Sequence, residues 1–281
     1  MVGVWQELAE GVCIRTEGDV CVNVGLVLGQ ERCLVVDTGG TLIEGNALAA
    51  AVRARTDLPW VVVNTHAHWD HCYGNAAFGH APIWGHEACL RALTRDGQRT
   101  KDAVVASYLD AGRVAYAAAL DEVPLVPPTS TLRTSVTLDL GGRDVALVHL
   151  GRGHTDGDLI VEVPDADVVF AGDLLEQGAP PDFDDAYPLE WEATLTRLLP
   201  RLRGRVVPGH GAVVDATFAR GQAELHAAVA RIAASAYAEG REIEQAAPQL
   251  PLPPAAARSA LQRTYRQLAT GDLDEATPVR A

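Results

Sequence analysis

The chain has 281 residues, 48% of them hydrophobic and 21% charged, which is enough to bury a large core within one globular fold. A formal net charge of -14, with a single lysine at Lys101 and no Arg or Lys stripe, counts against a nucleic-acid partner because such a surface repels phosphate backbones. No apolar run reaches membrane-span length, and residues 1–11 lack the charged-then-apolar order of a secretory signal. Cys13, Cys21, Cys33, Cys72 and Cys89 are odd in number and show no ligand spacing. A cytoplasmic protein with reduced thiols and no membrane partner is therefore expected.

Apolar, β-branched runs predict strands over residues 20–28, 34–36 and 60–63 in the first half, and over 145–150, 159–163 and 167–170 in the second. Helical spacing follows them. Trp191, Leu195, Leu198 and Leu199 fall on one helix face, as do Phe218, Leu225, Val229 and Ile232. Strands alternating with helices in two successive halves predict an α/β fold with two sheets between helices. No break is visible before residue 240, so residues 1–240 are expected to form the main body. Residues 241–281 then add a connection stiffened by Pro248, Pro251, Pro253 and Pro254 and a last helix carrying Leu261, Tyr265 and Leu268. That helix is expected to cover the core of the same domain or to join an interface in a homo-oligomer.

The chemistry concentrates behind the run at 60–63. His66, His68, Asp70 and His71 place four metal ligands within six residues, more than one ion comfortably takes. Along an extended backbone His66 and His68 would point the same way, while Asp70 and His71, at the turn, would face a second position. Three further candidates each stand beside glycine after an apolar run: His154 in Gly-His-Thr-Asp-Gly-Asp, Asp173 in Ala-Gly-Asp, and His210 in Pro-Gly-His-Gly. A structural role would gather these imidazoles and carboxylates with no evident gain, so a two-metal site built at strand-end loops is expected. His80, His149 and His226 read instead as structural histidines. His86 is open between a supporting role at the site and a helix start.

Thr-His-x-His-x-Asp-His at 65–71, Gly153-His154-Thr155, Gly172-Asp173 and Gly209-His210-Gly211 together resemble the metallo-β-lactamase superfamily of metallohydrolases, and 35–39 (Val-Val-Asp-Thr-Gly) looks like its early strand end. The resemblance implies an αββα four-layer sandwich. It also implies one metal on His66, His68 and His154, another on Asp70, His71 and His210, and Asp173 bridging both. The secreted zinc β-lactamases of antibiotic resistance generally carry cysteine at the position of Asp173, so the carboxylate points to the general hydrolase branches.

Two zinc ions are the expected cofactors, with iron and manganese as alternatives, since imidazole and carboxylate suit all three. The expected activity is hydrolysis of a small-molecule ester, thioester, lactone or amide, β-lactams included. Metal-bound hydroxide would attack, and Asp70 would orient it and pass its proton. One alternative is an enzyme like the superfamily's persulfide dioxygenases, with a single iron on His66, His154 and Asp173. Another is a non-catalytic metal-binding protein. Asn23, Trp69, Tyr73 and, on the Pro-rich loop at 176–188, Tyr187 are the candidate substrate-pocket residues.

Overall fold

The computed structural model describes residues 3–272. Strands β1 (Gln6–Ala9), β2 (Val12–Glu17), β3 (Val22–Leu28) and β4 (Cys33–Val36) lead to helix α1 (Leu42–Arg53) and β5 (Trp60–Val63). A one-turn helix α2 (Trp69–Cys72) precedes β6 (Ile83–His86), α3 (Glu87–Arg95), α4 (Gly97–Asp110), α5 (Val114–Asp121) and β7 (Ser130–Leu132). The second half runs β8 (Ser135–Asp139), β9 (Asp144–Val148), β10 (Ile160–Val163), β11 (Val168–Glu176), α6 (Pro188–Leu198), β12 (Arg205–His210), α7 (Ala216–Ala238), α8 (Ile243–Ala246) and α9 (Pro254–Thr270).

Alternation of side chains along each strand builds four layers. Val61 and Val63 of β5, with Leu34 and Val36 of β4, face Val168 and Phe170 of β11 across the gap between two sheets. Their neighbours Val62, Cys33 and Val35 point the other way, onto Leu48 and Val52 of α1. On the far side Val169 and Ala171 meet Trp191, Leu195 and Leu198 of α6 and the alanines of α7. The result is the αββα sandwich. Strands β1 to β7 form one sheet and β8 to β12 the other, joined where His210 pairs with Val22. Strand β4 pairs with β3 only from Gly25 to Leu28, which leaves Val22 open to the end of β12.

Close approach between the sheets needs Gly25: a Cβ there would come within 2.5 Å of the Phe170 ring and 3.0 Å of Val36. Gly25→Ala is expected to destabilise the fold by about 1–3 kcal/mol through overpacking. A lowered denaturant midpoint at constant slope is the readout, and an unchanged midpoint would show that the gap between the sheets has slack.

Two expectations are corrected here. The buried face of α7 is lined by Ala219, Gln222, Ala223, His226, Val229, Ala233 and Ala236, with Phe218, Leu225 and Ile232 only half-buried at its flanks. Small side chains let this helix lie close to α6 and α9, so the larger apolar residues are displaced sideways. Asp173 is not in a loop after its strand, because β11 continues through it to Glu176. In α9, Leu261 is buried with Ala257 and Ala260 against the core under α6 and α7. None of the described helices is long and apolar enough to cross a membrane.

Candidate metal centre

Parallel strands expose their carboxyl ends together, and here β4, β5, β11 and β12 all deliver polar side chains to one end of the sandwich. The chain leaves β5 through a bend rather than the extended segment expected across residues 66–68. His66 and His68 still converge, with ring centroids 4.7 Å apart. α2 then begins directly after His68, so Asp70 and His71 lie on a helical turn, with the His71 ring 4.2 Å from that of His66. A buried amide network holds this bend. Asn64 Nδ2 donates to the His71 carbonyl at 3.3 Å and to Asn75 Oδ1 at 3.0 Å, and Asn75 Nδ2 returns a bond to Asn64 Oδ1 at 2.8 Å.

Two groups of side chains result, each able to hold a metal ion: His66, His68, His154 and Asp173, and beside them Asp70, His71 and His210. Asp173 touches both. Its Oδ2 lies 3.7 Å from His66 Nε2, 3.5 Å from His154 Nε2 and 3.5 Å from His210 Nε2, and its Oδ1 lies 3.2 Å from His71 Nε2. Asp70 Oδ2 stands 3.2 Å from His210 Nε2. Gly209 is required by this crowding, since a Cβ there would collide with the Asp173 carboxylate.

Outward hydrogen bonds fix four of the five rings. His71 Nδ1 donates to Asp37 Oδ2 at 2.9 Å, and His210 Nδ1 donates to the Val20 carbonyl at 3.0 Å. His68 Nε2 donates to Asp185 Oδ1 at 3.0 Å. His66 Nδ1 donates to Thr65 Oγ1 at 3.1 Å, which in turn donates to Asp37 Oδ2 at 2.8 Å. With these protons directed outward, lone pairs face the centre. His66 Nε2 and Asp173 Oδ1 are buried without a hydrogen-bond partner among the described residues, and His68 Nδ1 faces His154 Nε2 at 2.8 Å. Lone pairs brought together in a buried space repel unless a cation lies between them, so this donor set fits metal ions. Proton affinities show the negative charge the carboxylates place here, for which protons and metal ions compete. Burial alone would lower His68 and His210, yet Asp185 beside the one and Asp173 and Asp70 beside the other push each up to about 10. Burial and the neighbouring charged rings push His154 down to about 4.

Asp37 and Asp185 were not among the site residues expected from sequence. Asp37 is buried at the end of β4 with φ 60°, a conformation costly for a non-glycine residue and kept here because its carboxylate anchors both Thr65 and His71. Asp37→Asn is expected to weaken metal binding about 10–100-fold. Zinc titration checks this, and wild-type affinity in the variant would show that the rings hold themselves.

The pocket candidates part company. Asn23 is buried, and its amide donates to the carbonyls of Pro208 and Gly211 at 3.0 and 2.8 Å, so it ties β3 to the His210 turn rather than lining an opening. Tyr73 is 2% exposed and packs with Cys72, Cys89 and Leu93. Trp69 is half-buried and edges onto Tyr108 and Tyr116 at 5.6 and 6.1 Å. Tyr187 lies under the guanidinium groups of Arg152 at 4.2 Å and Arg263 at 5.2 Å. His86 caps α3, accepting from the Ala88 amide at 3.2 Å, and stacks on His149. The cysteines are all free.

The family model for the metallo-beta-lactamase superfamily matches residues 18–210. The chain belongs to this superfamily. Among its relatives in the superfamily, human acyl-coenzyme A thioesterase MBLAC2 is 28% identical over 205 residues, covering 67% of this chain and 72% of the human protein. A metallo-beta-lactamase type 2 of Bacillus sp. (strain 170) is 27% identical over 225 residues, covering 74% of this chain and 76% of its own. The crystal structure of the DIM-1 metallo-beta-lactamase superposes with a TM-score of 0.64 at 19% identity, over 80% of this chain and 97% of that one. A metallo-beta-lactamase from Pontibacter korlensis gives 0.61 at 20% identity, over 80% and 99%. These two structures speak for the superfamily's fold.

Proposed function

We propose that this chain is a dinuclear zinc hydrolase of small acyl compounds, with thioesters as its preferred substrates. The observation that carries the reading is the pair of ligand groups sharing Asp173. His66, His68 and His154 would hold one ion, Asp70, His71 and His210 the other, with Asp173 between them. Ions in such a donor set polarise a scissile carbonyl and lower the pKa of water from 15.7 to roughly 7 in the zinc case.

The chain's own residues supply orientation and proton handling. Burial would raise the Asp70 carboxyl, but His71 and His210 beside it hold it below the usual carboxylate range. Asp70 therefore stands ionised and takes up the proton of the attacking water. An acid that gains its proton only during the reaction suits a leaving group that needs little help. A thiolate, with an ordinary pKa near 8.5, departs far more readily than an amine or alkoxide. Lys101 is buried on the carbonyls of Asp121 and Val123, so no lysine meets an anionic substrate at the centre. The thioesterase relative and the carboxylate at position 173 support the same choice. Trp69, backed by Tyr108 and Tyr116, offers an apolar wall for the acyl group.

The test is a panel of acyl thioesters, aryl esters, lactones and β-lactams with zinc-loaded protein. The expected result is the highest kcat/KM on thioesters. In the Asp70→Asn variant at saturating zinc, kcat should fall about 10²–10⁴-fold. Oxygen uptake with persulfides and no hydrolysis would overturn the assignment in favour of iron chemistry.

A further inference from the structure

Beyond residue 210, where the family match ends, α9 sends one side chain back toward the centre. Arg263 Nε donates to the Ala186 carbonyl at 2.6 Å, and its Nη2 donates to the Asp185 carbonyl at 2.8 Å. From the same helix Ser259 Oγ donates to Asp184 Oδ1 at 3.0 Å. The Asp185 carboxylate held in this way accepts from His68 Nε2 at 3.0 Å. Two residues on, the Tyr187 amide donates to the Gly153 carbonyl at 2.8 Å, next to His154. One short stretch of the loop between β11 and α6 thus touches His68 and the residue before His154, and these two histidines face each other at 2.8 Å.

We propose that the C-terminal helix is a working part of the metal centre: Arg263 fixes the main chain at Asp185, Asp185 fixes the ring of His68, and together they set the occupancy of the His66–His68–His154–Asp173 group. This rests on the reading that the two groups hold ions. Asp185 is exposed, and an exposed ionic contact contributes little when its partners must be ordered to make it. Arg263 removes that ordering cost beforehand by holding the loop, so the carboxylate acts on His68 at fuller strength. The second group is independent of this strut, because His71 and His210 direct their outward protons to Asp37 and Val20. Asp185 and Arg263 are positioning residues, acting through His68.

The experiment is zinc titration of the full chain against a chromophoric chelator, with ¹⁵N-resolved NMR of the His68 Nε2 proton in the same samples. The wild type should bind two equivalents. Asp185→Ala and Arg263→Ala should each keep one tight equivalent and lose about 10–100-fold at the other, with the His68 proton exchange-broadened. Asp185→Asn, whose Oδ1 still accepts, should recover part of the loss. Two equally tight sites and an unchanged His68 proton in both alanine variants would overturn the proposal. Equal weakening of both sites with a lowered Tm would overturn it too, as general structural support. Fewer than two equivalents in the wild type would contradict the dinuclear reading itself, while the His68 proton still reports whether Asp185 and Arg263 hold the ring.

Discussion

Asp173→Ala is expected to leave at most one zinc ion per chain and to lower hydrolysis about 10³-fold, a loss of roughly 4 kcal/mol in transition-state stabilisation. Asp173 reaches both groups: it lies within 3.7 Å of His66, His71, His154 and His210. Loss of the shared carboxylate therefore separates the groups, whereas loss of any one imidazole spares half of the centre. Strand β11 holds Asp173 in place, flanked by Gly172 and passing over Gly209, so a neighbour cannot move in to replace it. Zinc analysis and thioester kinetics on the same preparation check the expectation. Two ions retained with near-normal turnover would show that Asp173 is not the bridge.

Removal of the metal should have an effect of similar size on stability. An ion present at about 1,000 times its Kd contributes roughly 4 kcal/mol to the folded state, and a domain of this size shifts by about 2–4 °C per kcal/mol. Chelation is therefore expected to lower Tm by on the order of 10 °C or more, reversibly on adding zinc. The ligand loops are expected to loosen first, since His66 Nε2 and Asp173 Oδ1 are buried without a hydrogen-bond partner among the described residues. Calorimetry before and after chelation gives the answer. An unchanged Tm would mean that the donor set holds no ion with useful affinity.

Much of this architecture was legible from residue types. Cys33–Val36 and Trp60–Val63 are buried on both faces as central parallel strands, and that burial produces unbroken apolar runs. Ser135–Asp139 was not legible: it lies at the sheet edge with alternate residues exposed, and its Ser, Thr and Asp carry no apolar signal. Strand β2 was hidden for a different reason, since it carries Arg15 and Glu17, which are buried against each other as an ion pair. At the centre, the seven ligand candidates stood out because they fall in short motifs, and the structure brings all seven together. Asp185 could not stand out, because its partner His68 is 117 residues away and nothing local marks the pairing. Asp37 carried a weak signal, an aspartate just after a strand, whose meaning appears only when Thr65 and His71 are seen to share it. Asn23 and Tyr73 illustrate the converse case. Polar or aromatic letters beside a site suggest a pocket, but burial directs Asn23 to backbone carbonyls and Tyr73 into a side-chain core.

The most direct test of the central claim is elemental analysis of freshly purified protein by mass spectrometry, counting zinc, iron and manganese per chain. The account predicts close to two zinc ions. A single iron per chain, or no transition metal after purification without chelators, would contradict it.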